Sequence, residues 1–323
     1  MEFTPHEFAT GLIGLVAPVL SVAGRAQPVW LLVALAAHTA SILCRVRIWQ
    51  VLLRAALPQQ RVPFRAALGP YLCSVAASVV APLRGGDAVR IALARRTLPE
   101  SRSAAVLATL AAEAIPGLIV VPLLCATALL LGVLPVSPRL AAGVMGGGLV
   151  LTLAAWRISR VAQLRRPNGR VGRMLADFAS GVRLIGSPGR FARMVGPLTM
   201  LDWTLRIAML TAMLAAFQLG PDAAAAIAVV SIDSLTTLLP ILPNGAGAQQ
   251  AATASALHVH ASATALVAFS AGTQILVGAA NLLAGALALP SCRRRAVTQD
   301  RADVPAAGTL QGPPSPVFQS AAG

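Results

Sequence analysis

Eight runs of this chain are apolar over lengths close to what a bilayer crossing requires, and most of its hydrophilic residues fall in the gaps between them. They cover approximately residues 8–24, 28–53, 66–83, 104–133, 140–156, 197–219, 223–243 and 262–289. A hydrocarbon core about 30 Å thick is crossed by about 20 helical residues. Within lipid, backbone N–H and C=O groups have no water to bond, so each segment must satisfy its own. The pattern predicts an all-α fold: a polytopic integral membrane helical bundle. Composition agrees, with 56% hydrophobic and 11% charged residues against about 25% charged in a soluble domain.

The charges between the runs set the topology. All the basic side chains are Arg, there being no Lys, and the net charge is +15. On a membrane protein this reads as cytoplasmic loops and anionic lipid. Nucleic acid is not an expected partner, because one Tyr and four Trp make no stacking platform. Arg45 and Arg47 lie near the end of the second run and Arg54, Arg61 and Arg65 follow it, with the helix core ending near Arg47 and Trp49 at headgroup level. Arg84, Arg90, Arg95, Arg96 and Arg102 follow the third run, and Arg293-Arg294-Arg295 close the last. Residues 157–196 hold nine Arg against one acid, Asp177.

Six spans and two re-entrant hairpins, 66–98 and 223–259, put every Arg cluster on the cytoplasmic side when the N-terminus is internal. Eight straight spans would place 157–196 outside. The expected organisation is a transmembrane domain over 1–292 and a tail without periodicity over 293–323, cytoplasmic and unstructured. Residues 157–196 are expected as a basic cytoplasmic loop, with 171–185 either an amphipathic helix on the inner leaflet or ordinary loop. The acidic N-terminus shows no cleavage pattern, so the first run is read as a retained segment. The hairpins enter from opposite faces, each with Pro followed by Gly. Opposed broken helices meeting near mid-membrane build sites in many transporters, and the topological match suggests an inverted repeat.

Chemistry concentrates in Ala81-Pro82-Leu83-Arg84-Gly85-Gly86-Asp87-Ala88-Val89-Arg90. Asp87 is placed to cap a following helix, with Arg90 three residues on and able to pair with it. A helix N-terminus flanked by Arg84 and Arg90, with Gly85 and Gly86 letting the backbone approach, suits a phosphate or lipid headgroup. The plainer alternative is a capped cytoplasmic turn. Glu113 lies deep in the 104–133 run, where a charge costs about 2.5–3.5 kcal/mol on the insertion scale. It needs a partner or a proton, and contact with Arg84 or Arg90 would make it either a structural clamp or a proton-coupling group. Asp202 and Arg206 are spaced to satisfy each other on one helix, and Asp233 is a weaker candidate. His258 and His260 face different sides of a helix and make a poor metal pair. Cys44, Cys73, Cys125 and Cys292 show no ligand spacing and read as small apolar filler. No catalytic constellation is visible, so neither enzyme activity nor a cofactor is expected, and a transferase acting on polyprenyl-linked substrates lacks a nucleophile or metal set.

Four stretches together carry a family resemblance: Arg45-Val46-Arg47-Ile48-Trp49-Gln50-Val51-Leu52-Leu53, then Pro82 to Arg90, then Glu113, then Leu239-Pro240-Ile241-Leu242-Pro243-Asn244-Gly245-Ala246-Gly247. Over about residues 8–290 the chain resembles the flippase-like family, the transmembrane region of lysylphosphatidylglycerol synthases and its stand-alone relatives. Asp87 stands where that family commonly has Glu, Ala114 and Gly117 replace two charges near Glu113, and Gln250 replaces a Glu after the second Gly motif. The resemblance implies a bacterial inner-membrane, multi-pass protein with a cytoplasmic C-terminus. It further implies translocation of a lipid or lipid-linked molecule. The substrate-binding set would be Arg84, Gly85, Gly86, Asp87, Arg90, Glu113, Asp202, Arg206, Pro240, Pro243, Gly245, Gly247 and Gln250, receiving an anionic headgroup. The alternative is a non-transporting accessory that holds a lipid or scaffolds a lipid-modifying enzyme.

Overall fold

A computed structural model describes residues 24–81, 85–98, 103–133, 138–164, 177–236 and 262–303. Its elements are α1 (Pro28–Ala56), α2 (Phe64–Val80), α3 (Gly85–Thr97), α4 (Ser103–Leu130), α5 (Pro138–Leu164), α6 (Pro188–Ala216), α7 (Ala223–Thr236) and α8 (Ala263–Asp303). Among the described residues there is no strand. Four helical stretches are long and apolar enough to cross a bilayer: Pro28–Ala56, Ser103–Leu130, Pro188–Ala216 and Thr264–Pro290. The chain is a polytopic helical membrane protein, as its hydropathy pattern predicts.

The helix boundaries have local causes. Pro28 and Pro188 sit in the first turns of α1 and α6, where a missing N–H costs no intrahelical bond. Pro116 and Pro122 lie inside α4, which remains one helix, as expected for 104–133. After α2, Ala81 turns extended at φ −95° and ψ 126°, and α3 folds back against α2. Gly86 makes this close packing possible: a Cβ there would overlap the Ser78 hydroxyl and the Ser74 carbonyl.

The most extensively packed pair is α1 with α6, and they run antiparallel. The backbone N–H of Gln27, at the head of α1, donates to the carbonyl of Ala216, at the end of α6, at 3.0 Å. Ile48 and Leu52 near the end of α1 share a core cluster with Val195 near the start of α6.

The helices repeat at a nearly constant interval. α6 starts and ends 160 residues after α1 (28 to 188, 56 to 216). α7 starts 159 residues after α2 (64 to 223), and α8 starts 160 after α4 (103 to 263). The packing interchanges in the same way. α2 lies on α8 while α7 lies on α4, and α1 touches α2 and α4 while α6 touches α7 and α8. A two-fold operation that exchanges antiparallel helices has its axis perpendicular to them. In a bilayer crossed by α1 and α6 that axis lies in the membrane plane, which is the geometry of an inverted repeat. α5, packed on α4 with Gly148 against the Leu118 carbonyl, leads from one unit to the other.

Two boundaries differ from the sequence reading. The stretch expected as a loop over 157–196 is helical at both ends, since α5 continues to Leu164 and α6 begins at Pro188. Between them, 177–181 form a helical turn, and Ala179, Val182, Leu184 and Ile185 are buried. Val182, Leu184 and Ile185 join a cluster with Ile48, Leu52, Ala108, Ala112 and Ile115. Gly181 meets the Ala105 carbonyl and the Ala108 methyl so closely that a Cβ would overlap both. The apolar spacing read as a face toward lipid thus belongs, over 177–185, to the protein core. At the other end, α8 continues past Arg293-Arg294-Arg295 to Asp303, where a tail without structure was expected.

Candidate functional site

The groups that sequence reasoning selected meet where α3 faces α4. Arg90 on α3 is only 5% exposed. Its Nη1 donates to Glu113 Oε2 at 2.7 Å and its Nη2 to Glu113 Oε1 at 3.3 Å. Two aromatic rings lie beside the guanidinium, with the centroid of Tyr71 at 4.0 Å and that of Trp49 at 4.4 Å from its central carbon and the two centroids 6.2 Å apart. Such a pairing combines a bidentate ion pair with two cation–π contacts. Arg90 Nε remains buried with no hydrogen-bond partner. The Tyr71 hydroxyl donates to Glu113 Oε1 at 3.1 Å, and Trp49 Nε1 donates to Thr109 at 3.1 Å. Four helices, α1 to α4, therefore each contribute a side chain to one buried centre.

The centre continues into the second unit. Arg45 on α1 stands within electrostatic reach of Tyr71 and Glu113, and its Nε lies 3.3 Å from Asp202 Oδ1 on α6. Ser41 donates to the same Asp202 oxygen. Arg206 stacks on Trp203 at 5.0 Å and stands within electrostatic reach of Arg45, Asp202 and Asp233. A path of charged and polar groups thus runs from Arg90 through Glu113, Tyr71 and Arg45 to Asp202, crossing the α1–α6 contact that joins the units. Along the described path Arg45, Arg90 and Arg206 stand against Glu113, Asp202 and Asp233, with Asp87 at its edge within electrostatic reach of Glu113. Balance is what a low-dielectric interior demands, because an unmatched charge there is costly.

Several placements correct the sequence reading. Asp87 lies within the first turn of α3, which begins at Gly85, rather than at its cap. Arg90 pairs with Glu113 and not with Asp87, because α3, packed chiefly on α2, also touches α4 where Glu113 stands. Asp202 takes Arg45 and Ser41 across the α1–α6 contact instead of pairing with Arg206 on its own helix. Trp49 is fully buried in the protein beside Arg90. Gly85 and Gly86 serve the packing of α3 on α2, since a Cβ on Gly85 would meet the Ala81 methyl. Arg84, Pro240, Pro243, Gly245, Gly247 and Gln250, with His258 and His260, lie outside the described residues.

Trp49, Tyr71, Arg45 and Ser41 were missed as site residues. The signal available for Tyr71 was its being the only Tyr in the chain, set in an apolar run. Arg45 was hidden among the basic residues that come after it. The repeat also exposes an asymmetry, because 160 residues on from Trp49, Tyr71 and Glu113 stand Met209, Ser231 and Thr273. Ser231 and Thr273 are buried and donate within their own helices, to Ile227 and Phe269, each at 2.8 Å. At these positions the first unit carries the aromatic and charged groups, and the second carries neutral ones.

Sequence comparison bears on the whole of this architecture. No curated protein matches the chain. The family described as the lysylphosphatidylglycerol synthase TM region matches residues 8–285, spanning both units and the centre between them, and the chain belongs to that family.

Proposed function

We propose that this protein moves a lipid or a lipid-linked molecule between the leaflets of a bacterial plasma membrane, with its Arg-rich ends and C-terminus facing the cytoplasm. The observation that carries the reading is the largely buried path of paired charges from Arg90 to Asp202, which spans the contact between two units related as an inverted repeat. A protein whose only task is anchoring does not need six ionisable groups in its interior, each costing about 2.5–3.5 kcal/mol if left unpaired. Inverted units enclosing polar groups at mid-membrane are a recurrent architecture for moving a solute from one side to the other. Membership of a lipid-related family supports a lipid as that solute. An anionic headgroup would engage the guanidinium groups of this centre while its acyl chains stay in the bilayer.

The test is leaflet exchange in proteoliposomes containing the full chain and a trace of phosphatidylglycerol labelled on one acyl chain, read by quenching from outside. Wild-type protein is expected to expose the inner-leaflet probe faster than protein-free vesicles. Arg90→Gln is expected to abolish that difference while the protein stays monodisperse and helical. Exchange at the protein-free rate by the wild type would favour an accessory that holds a lipid or a lipid-modifying enzyme without transporting.

A further inference from the structure

In the structure, Arg90 is already engaged. Both Nη groups belong to Glu113, and the aromatic rings of Trp49 and Tyr71 pack beside it. An oxyanion cannot form a bidentate contact with Arg90 unless Glu113 withdraws from at least one nitrogen. One position is open to begin that exchange, because Arg90 Nε is buried and unpartnered. An oxyanion bound at Nε and the adjacent Nη would have the fork geometry that guanidinium groups favour. Glu113 would then keep the Tyr71 hydroxyl but lose its close cation.

Charge balance then limits how the site can respond. A bare anion entering the path would leave the interior with one unmatched negative charge. No other Asp, Glu, Lys, Arg or His stands on α4 to compensate. Around Glu113 the charged and titratable neighbours are Arg90 and Asp87 on α3, Tyr71 on α2 and Arg45 on α1. Arg45 is itself held by Asp202 on α6, and beyond it Arg206 on α6 faces Asp233 on α7. Among the described residues each remaining cation therefore has an acid within electrostatic reach, and Asp87 adds a further negative charge. The one change that restores balance without moving a helix is a proton on the released carboxyl.

We propose that ligand binding here is an exchange: the ligand's oxyanion takes Arg90 from Glu113, and Glu113 takes one proton from solvent. The net charge of the interior is the same before and after, and the anion and the proton travel together. This rests on the headgroup reading given under the proposed function. It names the ligand chemistry as a phosphodiester or similar oxyanion and adds a coupled proton.

The experiment uses the full chain in nanodiscs. The probes are dihexanoylphosphatidylglycerol and dimethyl phosphate, a lipid and a lipid-free form of one phosphodiester group that does not titrate near neutrality. Calorimetry in two buffers of different ionisation enthalpy counts protons, and Kd is measured from pH 6 to pH 8. Uptake of about one proton per ligand, with affinity weakening by up to about tenfold per pH unit as pH rises, is the expected result. Glu113→Gln is expected to lose both proton uptake and pH dependence. A pH dependence that persists unchanged in Glu113→Gln would overturn the assignment to Glu113. Binding of the lipid by the wild type without proton exchange would overturn the coupling and leave the headgroup site standing. Failure of the folded wild type to bind either probe would remove both. Equal binding of dimethyl phosphate, with its proton, would keep the exchange and assign it to a free phosphodiester. Because the proton count is made on the wild type, the test does not depend on the variant folding.

Discussion

Replacing Arg90 with Met and Glu113 with Leu, singly and together, probes the centre most quantitatively. Glu113→Leu leaves the Arg90 guanidinium buried without its carboxylate. Breaking a buried pair from one side costs about 3–5 kcal/mol, much of it the stranded charge. Arg90→Met strands the Glu113 carboxylate in the same way and also removes two cation–π contacts, which are worth about 0.5–2 kcal/mol each. The double variant has no stranded charge, and its two apolar side chains fill a space already flanked by Trp49 and Tyr71. Its expected loss is within about 2 kcal/mol of the wild type, the Tyr71 hydroxyl losing an acceptor worth about 1 kcal/mol. The cycle should therefore show a coupling of about 3 kcal/mol or more in favour of the pair. Reversible unfolding by sodium dodecyl sulfate in bicelles, followed through Trp fluorescence, gives all four values. Additive losses, with the double variant the least stable of the set, would refute the argument, for they would mean that Arg90 and Glu113 are stabilised independently.

Two other outcomes come from the packing. Gly86→Ala should cost about 1–3 kcal/mol, as overpacked sites do, and Ser78→Ala should relieve it only in part because the Ser74 carbonyl also blocks the added methyl. Alanine at Gly143, Gly146 or Gly147, where a Cβ meets nothing within 4 Å, should change stability by about 0.5 kcal/mol or less, measured in the same assay. Cys73 on α2 and Cys292 on α8 pack in one buried cluster. With Cys44 and Cys125 replaced by Ser, a thiol oxidant should join them within one chain, seen as a shift in electrophoretic mobility, whereas their failure to join would contradict the α2–α8 contact.

The spans were legible because hydropathy and Arg placement act locally, through the cost of exposing polar groups to lipid. Glu113 drew attention for the same reason: a lone acid in a long apolar run has to be answered by something, and Arg90 was one of the two partners expected. Other parts of the site depend on which helices touch, which no local pattern encodes. Asp202 and Arg206 have the spacing of an intrahelical pair, yet Arg45 from the antiparallel helix approaches Asp202 closely enough to take it. Trp49 comes after a run of Arg and so reads as an interfacial residue, but the α2–α3 fold places Arg90 over it. Gly85 and Gly86 were read for a ligand's approach, whereas the approach they permit is that of α2. The inverted repeat was visible only as a match of topology, because the second unit replaces Tyr71 and Glu113 by Ser231 and Thr273 and leaves little common sequence. The recurring interval between helix starts and the exchanged contacts reveal it instead.

Gln27 and Ser187 are the residues that precede α1 and α6, and both are accessible at the helix ends. If the two units are inverted across the membrane, these equivalent positions lie on opposite sides. Single cysteines placed there, in a chain with its four native Cys replaced, can be labelled with a membrane-impermeant maleimide in intact cells and in inverted vesicles. Labelling of Gln27→Cys from outside and of Ser187→Cys only from the cytoplasmic side is the expected result. Labelling of both from the same side would contradict the inverted arrangement and, with it, a charged centre shared between two opposed halves.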